Sequence, residues 1–205
     1  MRPLRIGVLV SGRGSNLQAI IDAIGRGEVM AEIAVVVSNR PRAYALERAR
    51  SRGIPTAVVE RRSFASRVAH QLAIVEELRR WGVELVVLAG FDKVLVPEFL
   101  AAFPGRVINV HPSLMPAFAG GLHAQAEALA HGVKISGCTV HFVTDDVDAG
   151  PIILQAAVPV HEGDDVDSLS ARILEQEHRI LPRAIDLIAR GRVVVEGRKV
   201  RILPD

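Results

Sequence analysis

Short apolar runs alternate along this chain with stretches in which apolar residues recur every three or four positions. Leu4–Val10 is a nearly continuous apolar run, the pattern of a central parallel strand buried on both faces. Leu17, Ile20, Ile21 and Ile24 then fall at helical spacing. The next strand is expected over 32–38, and a helix over 42–52 closed by Gly53. A short strand over 56–59 precedes a long amphipathic helix over 63–81, with Val68, Leu72, Val75 and Leu78 facing inward. Residues 85–89 form another buried strand. A β-α-β-α-β-α-β order implies a parallel sheet with right-handed crossovers.

The second half is less regular. A loop over 90–95 leads to a short helix, Pro97–Ala102, and then a strand over 107–110. Residues 117–122, with Gly120 and Gly121, read as a mobile loop, and Ala124–Ala130 as a helix. Strands over 136–143 and Ile152–Pro159 flank the acidic turn 144–150. The period of 166–190 is helical, with Pro182 expected to kink or interrupt it. A hairpin around Gly197 ends the pattern. The fold expected is α/β: a mostly parallel, Rossmann-like sheet with helices on both faces and antiparallel strands in the C-terminal half. With 205 residues and no linker-like break in composition, one domain with two functional halves, 1–100 and 101–205, is the economical organisation.

Composition removes several classes of function. Hydrophobic residues make up 49% of the chain, enough for a sizeable core. The formal charge is only +2, and the arginine-dense stretches 40–52 and 60–67 read as solvated helix faces without interleaved aromatics, which argues against nucleic acid as a partner. The single cysteine, Cys138, lies in a strand-like run and allows no internal disulfide. The N-terminal apolar run is too short for a signal segment or a membrane span, so a cytoplasmic protein with no membrane partner is expected. His70, His123, His131, His141, His178 and Cys138 show no metal-ligand spacing, so no metal is expected.

Three places carry candidate chemistry. Asn109 and His111 lie two apart near a strand end that Pro112 terminates, so both side chains project from one face. An amide that holds an oxygen and an imidazole that moves a proton would then stand where parallel α/β sheets place ligands; a capped polar strand end is the plain alternative. Ser11-Gly12-Arg13-Gly14-Ser15-Asn16 is a glycine-rich turn between a strand and a helix start, where backbone N–H groups and the helix dipole favour phosphate. It lacks the P-loop lysine and the third glycine of a dinucleotide fingerprint, so a monophosphate fits better than a dinucleotide. Asp148, in the turn Asp145-Asp146-Val147-Asp148, can pair with a histidine and hold its orientation, although three acids in four residues usually make a solvated turn.

These segments closely resemble the folate-dependent phosphoribosylglycinamide formyltransferases. The likeness rests on Asn109-Val110-His111-Pro112-Ser113-Leu114, on the Ser11–Asn16 loop, and on the stretch from Val140 to Pro151; the segments 46–50, 87–91 and 176–178 also fit. The resemblance implies formyl transfer from 10-formyltetrahydrofolate, a co-substrate, to the amine of glycinamide ribonucleotide in purine biosynthesis. It places the catalytic roles on Asn109, His111 and Asp148, and phosphate binding on Gly14, Ser15 and Asn16. Glu177 matches a contact to the glycinamide substrate. Arg67, Asp92, Lys93, Val94, Leu95, Asn109, Thr144, Asp145, Asp146, Val147 and Asp148 match folate contacts. The family implies a mononucleotide-binding half joined to a folate-binding and catalytic half. Two departures stand out: Asp92 occupies a position where the family usually has Met, and 118–122 reads Phe-Ala-Gly-Gly-Leu where many members have a Phe-Pro-Gly turn.

Rival readings are a formyltetrahydrofolate hydrolase, expected to carry an extra N-terminal domain, and a methionyl-tRNA formyltransferase, expected to carry a C-terminal one. This chain starts directly on its first strand and ends soon after Ile202. A non-catalytic mononucleotide-binding module using only the Ser11–Asn16 loop is the alternative from another class. Oligomeric state is open, a homodimer being one option.

Overall fold

The computed structural model describes residues 2–121 and 123–204. Contacts divide the chain into two compact units, one ending at Asn109 and one starting at Val110. The division falls inside a single strand, Val107–His111.

The first unit holds β1 (Leu4–Val10), β2 (Ala31–Ser38), β3 (Thr56–Val58), β4 (Leu85–Leu88) and the start of β5 (Val107–His111). All the pairs within it are parallel: β2 with β3, β1 with β2 and β4, and β4 with β5. Ile6, Val8, Leu9 and Val10 are fully buried, as the apolar run requires of a strand covered on both faces. The chain lays β2 and β3 on one side of β1 and β4 on the other, so the topological switch lies between β1 and β4. Ligands bind beyond the strand ends at such a switch. Helices α1 (Ser15–Gly25), α2 (Tyr44–Arg50), α3 (Arg67–Arg80) and α4 (Pro97–Ala102) complete the unit.

Helix bounds are shorter than the apolar period suggests. Residues 61–63 form a separate 3-10 turn, and Ser66 caps α3 by accepting the Ala69 N–H at 3.0 Å. This cap sets the phase of the helix. Gln71, Ile74, Val75 and Leu78 face inward, while Leu72, expected inside, is 40% exposed. One residue step turns a helix by about 100°, so a buried Gln71 carries Leu72 off the core face.

The second unit pairs β6 (Ile135–Phe142) with β7 (Ile152–Pro159) antiparallel, as expected for this half. Helix α5 (Ala124–Ala130) and the long α6 (Val166–Ala189) pack in this unit, α6 against both strands. Pro182 neither ends nor splits α6, which runs through it without a break. A buried stripe of Leu169, Ile173, Leu181, Ala184 and Ile185 holds the helix over its 24 residues, which outweighs the one backbone hydrogen bond that proline removes. Hairpin strands β8 (Val193–Glu196) and β9 (Lys199–Ile202) close the chain. Among the described residues the strand order is β3-β2-β1-β4-β5-β6-β7, with β8-β9 as a separate pair. No helix among them is long and apolar enough to cross a membrane.

Candidate active site

The turn after β6 folds back on its own strand. A Cβ on Gly150 would stand 1.8 Å from the Phe142 carbonyl oxygen, so only glycine permits this approach. Asp148, two residues earlier, has φ 47°, a left-handed conformation that aspartate tolerates better than most residues. The resulting geometry turns one carboxylate inward, while Asp145, Asp146 and Val147 stay exposed.

Asp148 Oδ2 lies 3.2 Å from His111 Nδ1, and Oδ1 lies 3.6 Å from His141 Nε2. The Gly120 N–H donates to Oδ2 at 3.1 Å. Burial pushes the Asp148 carboxyl up, but His141, the His111 charge and the Gly120 N–H outweigh it and leave it below the usual carboxylate range. The carboxylate therefore stays ionised between two imidazoles. His111 is buried, with Nε2 3.0 Å from the Phe118 carbonyl oxygen. Both of its ring nitrogens thus face acceptors, and only a doubly protonated ring donates at both. His141 directs Nδ1 at the Phe142 carbonyl oxygen, 2.9 Å away, which assigns its proton to that nitrogen when the ring is neutral.

The loop after His111 is pinned from below. Thr139 Oγ1 donates to the Ser113 carbonyl at 2.7 Å and accepts from the Met115 N–H at 3.1 Å and Gln155 Nε2 at 3.0 Å. Ser113 Oγ donates to the Ala117 carbonyl at 2.6 Å. Phe118, at φ 53°, stacks its ring edge-on against His131 and turns its carbonyl to His111. The stretch expected to be mobile, 117–122, makes hydrogen bonds at Ala117, Phe118 and Gly120; its last residue, Leu122, lies outside the described residues. Glu177 is buried on α6, and its charge, together with burial as the larger cause, pushes the Cys138 thiol up to about 12. A thiol that weakly acidic is inert at neutral pH.

The first unit holds the other predicted residues. Gly14 caps α1 with φ 73°, and a Cβ there would meet Ala45 Cβ at 2.5 Å, so the turn lies directly on the start of α2. Ser15 and Asn16 open α1, placing their N–H groups at its positive end. Ser11 donates its N–H to the Gly90 carbonyl at 3.0 Å, joining the loops beyond β1 and β4. Asp92 completes that junction. Its Oδ1 accepts from Asn39 Nδ2 at 2.8 Å and Ser11 Oγ at 3.1 Å, and its Oδ2 pairs with the Arg40 guanidinium. Burial raises the Asp92 carboxyl, but Asn39, Ser11, Arg40 and Lys93 together bring it below the usual range. Further along, Gln71 donates to the Val94 carbonyl at 2.9 Å and accepts the Val96 N–H at 2.8 Å, fixing the backbone on either side of Leu95. Arg67 stands one helical turn before Gln71, on the same side of α3.

On β5, Asn109 and His111 are two residues apart in extended chain and so share a face, as the spacing implied. His141, Asn39, Arg40 and Gln71 were not legible as site residues. His141 alone left a trace, being seven residues before Asp148 and two after Thr139 on one strand. Among the described residues no group of three or more His, Cys, Asp or Glu is arranged to hold a metal ion.

Residues 4–185 match the family model described as formyl transferase. The chain is 45% identical over 190 residues to the phosphoribosylglycinamide formyltransferase of Escherichia coli (strain K12), covering 93% of this chain and 89% of that protein. It is 46% identical over 189 residues to the trifunctional purine biosynthetic protein adenosine-3 of Bos taurus; that match covers 92% of this chain and only 19% of the larger protein. Among solved structures, glycinamide ribonucleotide transformylase 1 from Symbiobacterium toebii superposes with a TM-score of 0.97 at 55% identity, over 98% of this chain and 95% of that one.

Proposed function

Because the chain belongs to the formyl transferase family, among the phosphoribosylglycinamide formyltransferases, we propose that it moves the formyl group of 10-formyltetrahydrofolate to the amine of glycinamide ribonucleotide. The observation that carries this reading is the setting of His111. One ring nitrogen is held by the Asp148 carboxylate, and the other already faces a carbonyl oxygen, that of Phe118, at 3.0 Å. A formyl oxygen presents the same acceptor chemistry. In the reaction the substrate's oxygen takes the place of the Phe118 carbonyl, which requires that carbonyl to withdraw.

The amine attacks the formyl carbon, forming a C–N bond and a tetrahedral species whose oxygen carries the developing charge. His111 Nε2–H and the Asn109 amide stabilise that oxyanion. Collapse breaks the bond to N10 of the folate, whose nitrogen takes a proton supplied by way of His111, while the attacking amine loses one. Asp148 stays ionised and keeps the imidazole oriented and cationic. The phosphate of the substrate rests on Gly14, Ser15 and Asn16, and Glu177 contacts its glycinamide end. Arg67, the backbone of 92–95 and the turn 144–148 hold the folate. The first unit thus carries the mononucleotide loop and part of the folate contacts, and the second the proton-handling residues.

The test is release of tetrahydrofolate from 10-formyltetrahydrofolate with and without glycinamide ribonucleotide. Release that depends on the ribonucleotide, with formation of its formylated product, is expected. Equal release without it would identify a hydrolase, and none in either case a non-catalytic binding module.

A further inference from the structure

Four arginines of the two arginine-dense stretches lie outside the α-helices and are largely exposed. Arg40 and Arg42 follow β2 and precede α2, while Arg61 and Arg62 follow β3 in the 3-10 turn that precedes α3. Because β2 and β3 are parallel neighbours, both segments emerge at the same sheet edge. There they line one open cavity of about 530 Å³, with Pro41 and Glu60 in its wall. Arg62 pairs with Glu60 and Arg40 with Asp92, which leaves Arg42 and Arg61 as the lining guanidiniums without a carboxylate partner among the described residues.

We propose that this cavity is a second anion site, separate from the Ser11–Asn16 loop, for a small molecule bearing two or more phosphate or carboxylate groups. Its size lies within the range of small-molecule pockets, roughly 300–1,000 Å³. Guanidinium is the side chain best matched to both groups, through paired N–H donors. Three of the four arginines are already held in place. Arg40 pairs with Asp92, Arg61 Nη1 donates to the Phe64 carbonyl at 2.7 Å, and Arg62 Nε lies 2.5 Å from Glu60 Oε2. Arg42 makes no ion pair among the described residues. Arginines free to spread into solvent would lower their repulsion. Held around one concavity, they concentrate a field that a multiply charged anion neutralises, and less side-chain freedom is lost on binding. A single charge would offset only one of the two unpaired guanidiniums. Asn39 and Arg40 belong to the cavity wall and to the Asp92 network, so occupancy reaches the loop beyond β4.

The test is an amide-resolved NMR titration at low salt with inorganic tripolyphosphate, and separately with citrate, to tell phosphate from carboxylate preference. The expected result is saturable one-to-one binding of at least one probe, with shifts centred on 40–42 and 60–62. Arg42→Ala with Arg62→Ala should weaken it at least about tenfold, as should Arg62→Glu alone at an exposed turn. Ser15→Ala with Asn16→Ala should leave it unchanged, which separates this site from the substrate's phosphate loop. No saturable binding of either probe, shifts centred on Gly14–Asn16, or unchanged affinity in the arginine variants would overturn the proposal.

Discussion

Two aspartates in this molecule sit in superficially similar nests of donors, one in each unit, and their partners differ in kind. Asp92 is held by a hydroxyl, an amide, a guanidinium and an ammonium: Ser11, Asn39, Arg40 and Lys93. None of these changes protonation near neutral pH. Asp148 is held by two imidazoles and one backbone N–H: His111, His141 and Gly120. Imidazoles do change protonation there. Equal effort in fixing a carboxylate therefore serves different ends. Around Asp92 the network is a clasp that fixes the loops beyond β1, β2 and β4; around Asp148 it is a setting in which a proton can be held and passed. The clasp also accounts for an acid at a position where the family usually has Met: its carboxylate is taken up by Ser11, Asn39 and Arg40.

The difference can be broken most severely at His111. His111→Ala should lower kcat by roughly 10²–10⁴-fold, the usual share of a positioned acid–base group, with both KM values little changed. Steady-state kinetics with both substrates checks this, and near-normal turnover would reduce the Asp148 setting to another clasp. Next in size is Gly150→Ala. The added methyl must displace the Phe142 backbone, costing about 1–3 kcal/mol by overpacking, and should lower the melting temperature and kcat together, because Asp148 moves with the turn.

Asp92→Met should behave oppositely. With the Asn39 amide N–H and the Arg40 guanidinium left short of an acceptor, stability should fall by about 1–2 kcal/mol, read from denaturant unfolding, while kcat stays near wild type and the folate KM shifts only slightly. A marked tightening of folate binding would mean that the acid is unfavourable to the folate and that the clasp is incidental. The smallest effect is in acid. Both carboxyls have native values lowered relative to the unfolded chain, so each contributes stability that is fully present above the unfolded value, about 3.9, and is lost as pH falls through the native one. Urea midpoints should therefore hold between neutrality and about pH 4 and decline below it, with a shallower decline in Asp92→Asn.

The sequence carried the fold because its strands are short apolar runs, such as Leu4–Val10, that need only their neighbours in the chain to be recognised. His111 and Asp148, which lie 3.2 Å apart, are each marked by a punctuating neighbour: Pro112 after the strand, Ala149-Gly150 after the acid. What the sequence hid depends on distant partners. Ser11 and Asp92 are 81 residues apart, and nothing local marks Asn39 or Arg40 as their companions. His141 looked like one histidine among many until the fold-back at Gly150 brought Asp148 to it. Leu72, and the interruption allowed for at Pro182, misled for the same reason. Helix phase at Leu72 is set by the Ser66 cap and by Gln71 reaching 94–96, and helix continuity at Pro182 by packing on β6 and β7.

The proposed role of Asp148, orienting and charging His111, is tested most directly by the turnover of Asp148→Asn. In the tetrahydrofolate-release assay with glycinamide ribonucleotide present, kcat should fall at least about a hundredfold. The fall in kcat should far exceed any rise in either KM, and the melting temperature should drop only modestly, since the amide can keep the Gly120 contact. Turnover within a few-fold of wild type in a folded Asp148→Asn protein would contradict the account.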